Sequence, residues 1–513
     1  MPFFLCNVHQ FNCYSFNKVP KNRQFTILKT PSKKRMLSRG KKGDEKMKKS
    51  TAKDMTSGNP LKLFTAFMLP LLCGLLFQQF YNMVDTVIVG KFLGVNALAG
   101  VGSTGSINFL VIGFCTGICA GFAIPIAQKF GQKDFEGLKV YTANIFMLSA
   151  VFSVVLTLLT TLLCKNILRL MNTGEDIFNE AYNYIFYIFL GIPAIILYNM
   201  LSCIMRSLGD SKSPVFFLLI SSVLNIVLDL LSVTVLGMGV EGPALATVIS
   251  QGISGVLCLV YMMKKFEILR LKREDFKIDV PAVKTLCAMG VPMGLQYSVT
   301  AIGSIVLQTA VNGLGTVAVA AVTAGGKVNQ LFMCFFDALG ATTATFAGQN
   351  MGAGKLDRIK KGIFASMILG AVFCVIAIIV IIFLGYDIAA LFLDATDAAI
   401  VEDVLSNAQK FLVTNGAFYI VLVLLHALRF TIQGLGFSRV AIFAGGFEML
   451  ARSTVALLLV PHFAFGAVVF ANPAAWFAAN VFLVPCYFSV MKSLRLHADA
   501  RNKETAEYAE QSA

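Results

Sequence analysis

The chain has 513 residues, 57% of them hydrophobic and 14% charged, which is too apolar for one soluble core. Its formal net charge of +15 invites a nucleic-acid partner, but residues 1–60 hold 14 Lys/Arg against 3 Asp/Glu, and the rest 29 against 25. The excess is therefore a tail rather than a binding face, and no nucleic acid is expected; juxtamembrane basic runs of this sort favour the cytoplasmic leaflet.

In chain order, the first 16 residues lack a basic n-region and are broken by Asn, His and Gln, so they do not read as a signal peptide. Residues 1–60 are expected to form a disordered, basic cytoplasmic tail; Met47 opens a stretch that would serve as an ordinary start, so 1–46 are expected to be disordered or a mis-called start. Apolar runs long enough to span a bilayer, which takes about 20 residues each, then follow one another. Twelve are expected, at 62–88, 97–126, 140–164, 181–205, 214–236, 243–263, 285–311, 318–347, 361–384, 408–433, 440–460 and 468–490.

Lys and Arg alternate between successive loops. They gather after span 2 (Lys129, Lys133, Lys139), span 4 (Arg206, Lys212), span 6 (Lys264 to Lys284), span 8 (Lys355, Arg358, Lys360, Lys361) and span 10 (Arg429, Arg439). The positive-inside rule then places both termini in the cytoplasm. The loop after span 9, with Asp387, Asp394, Asp397, Glu402 and Asp403, is acidic and expected outside. The basic linker 264–284 divides a six-span lobe, 61–263, from a second, 285–491, with a cytoplasmic tail at 492–513.

The stretch Leu93 to Lys139 recurs without a gap at Leu314 to Lys360, so that Gln128 and Gly131 align with Gln349 and Gly352. A fainter echo pairs Leu208-Gly209 with Leu435-Gly436. An even number of spans per half puts the pseudo-two-fold along the membrane normal, as in transporters built from parallel repeats. Pro70 and Pro292 fall at matching places in spans 1 and 7, where each removes a backbone hydrogen bond and bends its helix, as a hinge or as static packing.

A charge at mid-membrane costs about 2.5–3.5 kcal/mol on insertion scales, so acids that remain there need a reason. Asp85 lies in span 1, four residues from Tyr81 on one helical face; Asn225 and Asp229 share a face of span 5. Thr247 in span 6 and Tyr184 in span 4 can add oxygens. Together they read as a cation or proton site, the plainer alternative being an Asp85 solvated near the outer end of its helix. In the second half, Glu448 and Arg452 are spaced for a structural ion pair. Lys327 is a candidate to neutralise an acid or to bind an anionic substrate group, and Asp337 a candidate cavity-lining acid. Twelve Cys without a CxxC and four scattered His give no metal-site pattern.

Phe80-Tyr81-Asn82-Met83-Val84-Asp85-Thr86, the paired Gln128-x-x-Gly131 and Gln349-x-x-Gly352, Arg206-x-x-Gly209-Asp210, Asn225-x-x-x-Asp229 and Gly242-x-x-x-Ala246-Thr247 resemble the multidrug and toxic compound extrusion family, over about residues 58–495. The resemblance implies an all-α integral membrane protein of twelve transmembrane helices, in two pseudo-symmetric six-helix bundles forming a V. It implies a plasma-membrane antiporter that exports drugs and other small organic compounds, often cationic, in exchange for H⁺ or Na⁺ by alternating access. Membrane lipid is expected around the chain and no cofactor; no cluster of His, Asp or Cys suggests an enzyme, and nothing requires more than a monomer. Carried over residue by residue, it assigns the cation site to Asp85, Asn225, Asp229 and Thr247, with Tyr81 and Tyr184 in support, and helix bending to Pro70. Gln78, Gln296, Lys327 and Asp337 are the candidates to line a substrate cavity. One family branch carries acids in spans 7 and 10; this chain has Gln296 and no carboxylate there, which puts a second cation site in doubt. A flippase for a lipid-linked or amphipathic substrate is the alternative, and would want a strongly cationic cavity.

Overall fold

The computed structural model describes residues 53–171, 173–392 and 398–511; residues 1–46 lie outside them, as do Asp394 and Asp397. Most of these residues are helical. In order come α1 (Pro60–Ile88), α2 (Val95–Ser103), α3 (Gly105–Gly131), α4 (Phe135–Leu170), α5 (Phe178–Leu190), α6 (Ile192–Ser207), α7 (Lys212–Leu230) and α8 (Glu241–Lys265). Two 3₁₀ turns, Glu267–Leu269 and Arg273–Asp275, lead to α9 (Val280–Asn312), α10 (Thr316–Gly352), α11 (Leu356–Ala390), α12 (Ala398–Ala417), α13 (Tyr419–Gly434) and α14 (Ser438–Thr454). Two single-turn helices, α15 (Val460–Phe463) and α16 (Phe465–Val468), precede α17 (Ala471–Gln511).

Ten of these segments are long and apolar enough to cross a bilayer, and two bent pairs, α5–α6 and α12–α13, bring the number to twelve. Their starts carry local signals. Asn59 accepts a hydrogen bond from the Leu61 amide ahead of α1, with Pro60 at the first helical position; Asp134 caps α4 through Gly137, and Asp279 caps α9 through Ala282. Val151, Val155, Leu158 and Leu162 make an exposed apolar stripe on α4, and Val372, Val375, Ile379 and Phe383 make another on α11. Helical spacing of exposed aliphatic residues on spans of this length is what a lipid-facing surface requires.

Three expected spans are corrected. Span 2 is not 97–126: the helix breaks at Thr104, so α2 is a short separate piece and the span is Gly105–Gly131. Spans 4 and 10 are not straight but bent by 49° and 50°, between Phe178–Leu190 and Ile192–Ser207 and between Val401–Ala417 and Tyr419–Gly434. At the first bend Pro193 cannot continue the hydrogen-bond ladder, and a Cβ at Gly191 would collide with Val248 of α8. At the second, Phe418 leaves the helical region with φ −98° and ψ 6° without any proline.

The repeat is structural as well as sequential. Gly209 and Gly436, paired by the faint echo, hold φ of +85° and +94°, and each ends a bent span in a left-handed turn that a side chain would strain. The two halves meet where α3 crosses α9, Gly117 on Gly294 and Gly121 on Gly290. They meet again at the end bearing the basic loops, where α3 crosses α10. A Cβ at Gly131 would land on the Gln349 carbonyl, and one at Gly352 on the Gln128 carbonyl. The paired Gln-x-x-Gly motifs thus contact each other reciprocally. Their amides reach further: Gln128 Nε2 donates to Gly434 O at 2.9 Å, and Gln349 Nε2 to Ser207 O at 2.8 Å.

Residues 53–58, expected as part of a disordered tail, instead form a strap across this junction. Lys53 N donates to Leu208 O in the first half at 2.9 Å, and Met55 N to Gln349 Oε1 in the second at 2.8 Å. Asn350 Nδ2 and Arg358 Nη2 both donate to Met55 O at 3.2 Å, Lys355 Nζ to Thr56 O at 2.9 Å, and Arg358 Nη1 to Gly58 O at 2.9 Å. Met55 is fully enclosed.

Candidate ion-coupling site

Two buried polar clusters lie within the spans, one in each half. The first gathers on α1, α5, α7 and α8. Asn225 and Asp229 are one helical turn apart on α7, and Asn225 Nδ2 lies 3.4 Å from Asp229 Oδ1 and 3.3 Å from Thr247 Oγ1 on α8. Asp229 is fully buried and Asp85 on α1 nearly so. Asp85 Oδ1, Asp229 Oδ2 and Asn225 Oδ1 are enclosed and make no hydrogen bond to any other described residue. Asp85 and Asp229 are close enough to repel each other electrostatically, and Tyr184 and Tyr81 feel both. The Tyr81 hydroxyl reaches the side chains of Gln78 and Gln251.

Chemically this is a cluster of oxygen acceptors with two acids and, among the described residues, no basic partner. Enclosed acceptors carry a desolvation penalty unless something donates to them or coordinates them. A proton on one acid, or a small hard cation ligated by carboxylate, amide and hydroxyl oxygens, meets that need. Directly after Asp229, the helix opens into a π-helical turn at Leu231–Val235. Its counterpart after Arg452 is the π-helical turn Val455–Leu459. Such irregularities loosen the local ladder where a site needs it.

The second cluster lies on α9, α12, α13, α14 and α17. Glu448 and Arg452 of α14 are 3.8 Å apart, but the nearer cation is Arg429 of α13, in direct contact with Glu448. This corrects the expectation that Arg429 belongs to a basic loop. Arg429 is only 6% exposed, inside the helix, and Glu448 and Arg452 are 4% and 7% exposed. Arg452 Nε donates to Asn472 Oδ1 at 3.2 Å, and Asn472 Nδ2 to Asn415 Oδ1 at 3.1 Å. One turn from Arg429, Gln433 Nε2 donates to Gln296 Oε1 on α9 at 2.7 Å.

Of the other expected site residues, Gln296 is buried in this second cluster, Gln78 is half-buried beside Tyr81, and Pro70 is half-buried inside an unbroken α1. Lys327 is exposed and belongs to neither cluster; Asp337 is exposed on α10, within electrostatic range of Tyr297, as is Arg429. His426 packs between Phe336 and Phe430, with Nδ1 3.0 Å from Leu422 O. Gln251, Gln433 and Arg429 were not singled out from the sequence as site residues. Gln251 follows Thr247 by four residues on a helix, a signal that was present; nothing local marks the other two.

Twelve spans in two repeated halves, with buried charge in each, define a multi-pass membrane transporter. A family profile for MatE matches twice, at residues 70–231 and 292–458, once in each half; the chain belongs to this family of efflux transporters, whose members are not enzymes. It is 33% identical over 340 residues to a probable multidrug resistance protein, YoeA, of Bacillus subtilis, covering 64% of this chain and 72% of that protein. It is 24% identical over 340 residues to an FAD transporter of Shewanella oneidensis, covering 65% and 74%. Its fold matches a solved MOP superfamily transporter from Pyrococcus furiosus, described as having a binding pocket of reverse polarity, with TM-score 0.80 at 21% identity, over 86% of this chain and 98% of that one.

Proposed function

We propose that this chain is an antiporter that exports organic compounds across the cytoplasmic membrane in exchange for H⁺ or Na⁺, with both termini in the cytoplasm. The observation that carries the reading is the Asp85–Asn225–Asp229 cluster, a set of enclosed acceptors joined by Thr247, with no basic counterpart among the described residues. An ion shifts a conformational equilibrium only through unequal affinity for the two states. A carboxylate pair that is dry in one state and wet in the other supplies that inequality.

The strap and the reciprocal Gln-x-x-Gly contact support alternating access. They hold the two halves together at the basic-loop end, the cytoplasmic one in this reading, and must part for the transporter to open inward. Export is tested by accumulation of a cationic dye in cells. Cells carrying the protein should retain less dye than cells carrying Asp85→Asn with Asp229→Asn at equal expression. Equal dye retention in the two strains sinks the reading.

The name of one relative raises an anionic substrate as a second reading. The observation favouring it is the pair of buried arginines, Arg429 and Arg452, in the second cluster.

A further inference from the structure

The two clusters occupy matching places in the repeat and carry opposite charge. In the alignment of the halves Arg452 stands where Asn225 stands, and Asp229 is matched by Ala456. One helix of each cluster, α7 or α14, runs into a π-helical turn, Leu231–Val235 or Val455–Leu459. The first presents two carboxylates with enclosed, unpartnered oxygens. The second presents two guanidinium groups and one carboxylate, a net charge of +1.

Glu448 is the only ion-pair partner of either arginine among the described residues, and its contact with Arg429 is the closer. Arg429 Nε and Arg452 Nη1 are enclosed and donate to no other described residue, and Gln433 Oε1 accepts from none. Guanidinium groups stay charged in proteins, so this cation cannot be relieved by losing a proton. An unbalanced cation inside a membrane protein is expensive, and such groups mark substrate or ion pathways. Planar N–H donors left open beside one another suit an oxyanion better than a halide, because guanidinium matches two oxygens at once. A purely structural pair would need one arginine, and Arg429 already satisfies Glu448.

We infer that Arg452 and Arg429, with Gln433 and Gln296 beside them, form a binding site for an oxyanion (a phosphate or carboxylate) carried by the exported compound. Organic molecules bearing such a group thereby belong to the substrate range. The first half binds the coupling cation and the second binds the anionic end of the cargo, so the repeat supplies two sites of opposite sign from one architecture. The inference rests on the export reading, but its readout is equilibrium binding, so a failed transport assay and a failed anion preference are told apart.

The test uses the purified full chain in detergent and matched ligand pairs that differ only in the anion. Riboflavin against its phosphate monoester probes phosphate; a rhodamine methyl ester against its free carboxylic acid probes carboxylate. The anionic member of at least one pair should bind at least about tenfold more tightly than its neutral-ended counterpart, and which pair shows it identifies the anion. Arg452→Gln should abolish that preference without lowering the melting temperature beyond a few degrees, since Arg429 still pairs with Glu448, and Arg452→Lys should restore part of it. A preference below twofold in both pairs, or one unaltered in Arg452→Gln, overturns the inference. So does an Arg452→Gln protein that loses neutral and anionic ligands alike.

Discussion

The reciprocal contact between the Gln-x-x-Gly motifs gives a sharp perturbation: adding one methyl group at Gly131 or at Gly352. In each case the new Cβ falls on a backbone carbonyl, Gln349 O or Gln128 O, well inside van der Waals contact. Backbone cannot swing aside as a side chain can, so α3 and α10 must separate. Inserting one carbon into a packed site costs about 1–3 kcal/mol, and here the cost falls only on the arrangement in which the halves touch. Roughly 1.4 kcal/mol is a tenfold change in an equilibrium constant, so each alanine should shift the closed-to-open ratio at this end by about five- to a hundredfold. Spin labels at Lys139 and Lys360, which the repeat pairs, report it by pulsed dipolar distance measurement in a cysteine-free background. Gly131→Ala and Gly352→Ala should each move the distance distribution towards longer separations. Because they act on one interface, the double substitution should do little more than either alone. Distributions unchanged from the parent in both variants would refute the argument.

Three other outcomes follow from the same structure. Arg358→Ala removes donors to Met55 O, Gly58 O and Asn350 Oδ1. Amide exchange at residues 53–58 should accelerate, by roughly five- to tenfold for a net loss of about 1–1.5 kcal/mol. Glu448→Gln leaves Arg429 and Arg452 without a counter-charge, a loss of about 3–5 kcal/mol that should show as a drop of several degrees in melting temperature or as failed insertion. Thr247→Val removes one oxygen from the first cluster while keeping its shape. The ion concentration for half-maximal transport should then rise by roughly fivefold, with maximal rate little changed; an unaltered ion dependence would remove Thr247 from the site.

Hydropathy made the spans legible, because crossing a bilayer demands one uninterrupted apolar length. The repeat made the pairing of helices legible, down to the matched glycines at Gly209 and Gly436. The first cluster was visible because Tyr81 and Asp85, and Asn225 and Asp229, are each four apart, a spacing that survives folding as one helical face. What escaped detection depended on tertiary structure. Arg429 sits seven residues before Gly436, where the span gives way to Gly436-Phe437-Ser438, so by position it resembles an interfacial residue; only the bend at Phe418 and the facing Glu448 put it inside. That bend carries no proline and leaves no mark in composition. The strap is held mostly through main-chain atoms of Lys53, Met55, Thr56 and Gly58, which no side-chain pattern reports, and its basic, Ser/Thr-rich surroundings read as a tail.

If the Asp85–Asp229 cluster couples ion movement to export, binding linkage makes the coupling reciprocal. It is tested most directly in sealed proteoliposomes holding the purified protein and a dye gradient but no ion gradient, with internal pH and Na⁺ recorded as dye flows down its gradient. Dye movement should drive H⁺ or Na⁺ the opposite way, and Asp229→Asn should abolish the ion flux. Dye movement with no counterflow of either ion, or counterflow that persists in Asp229→Asn, would contradict it.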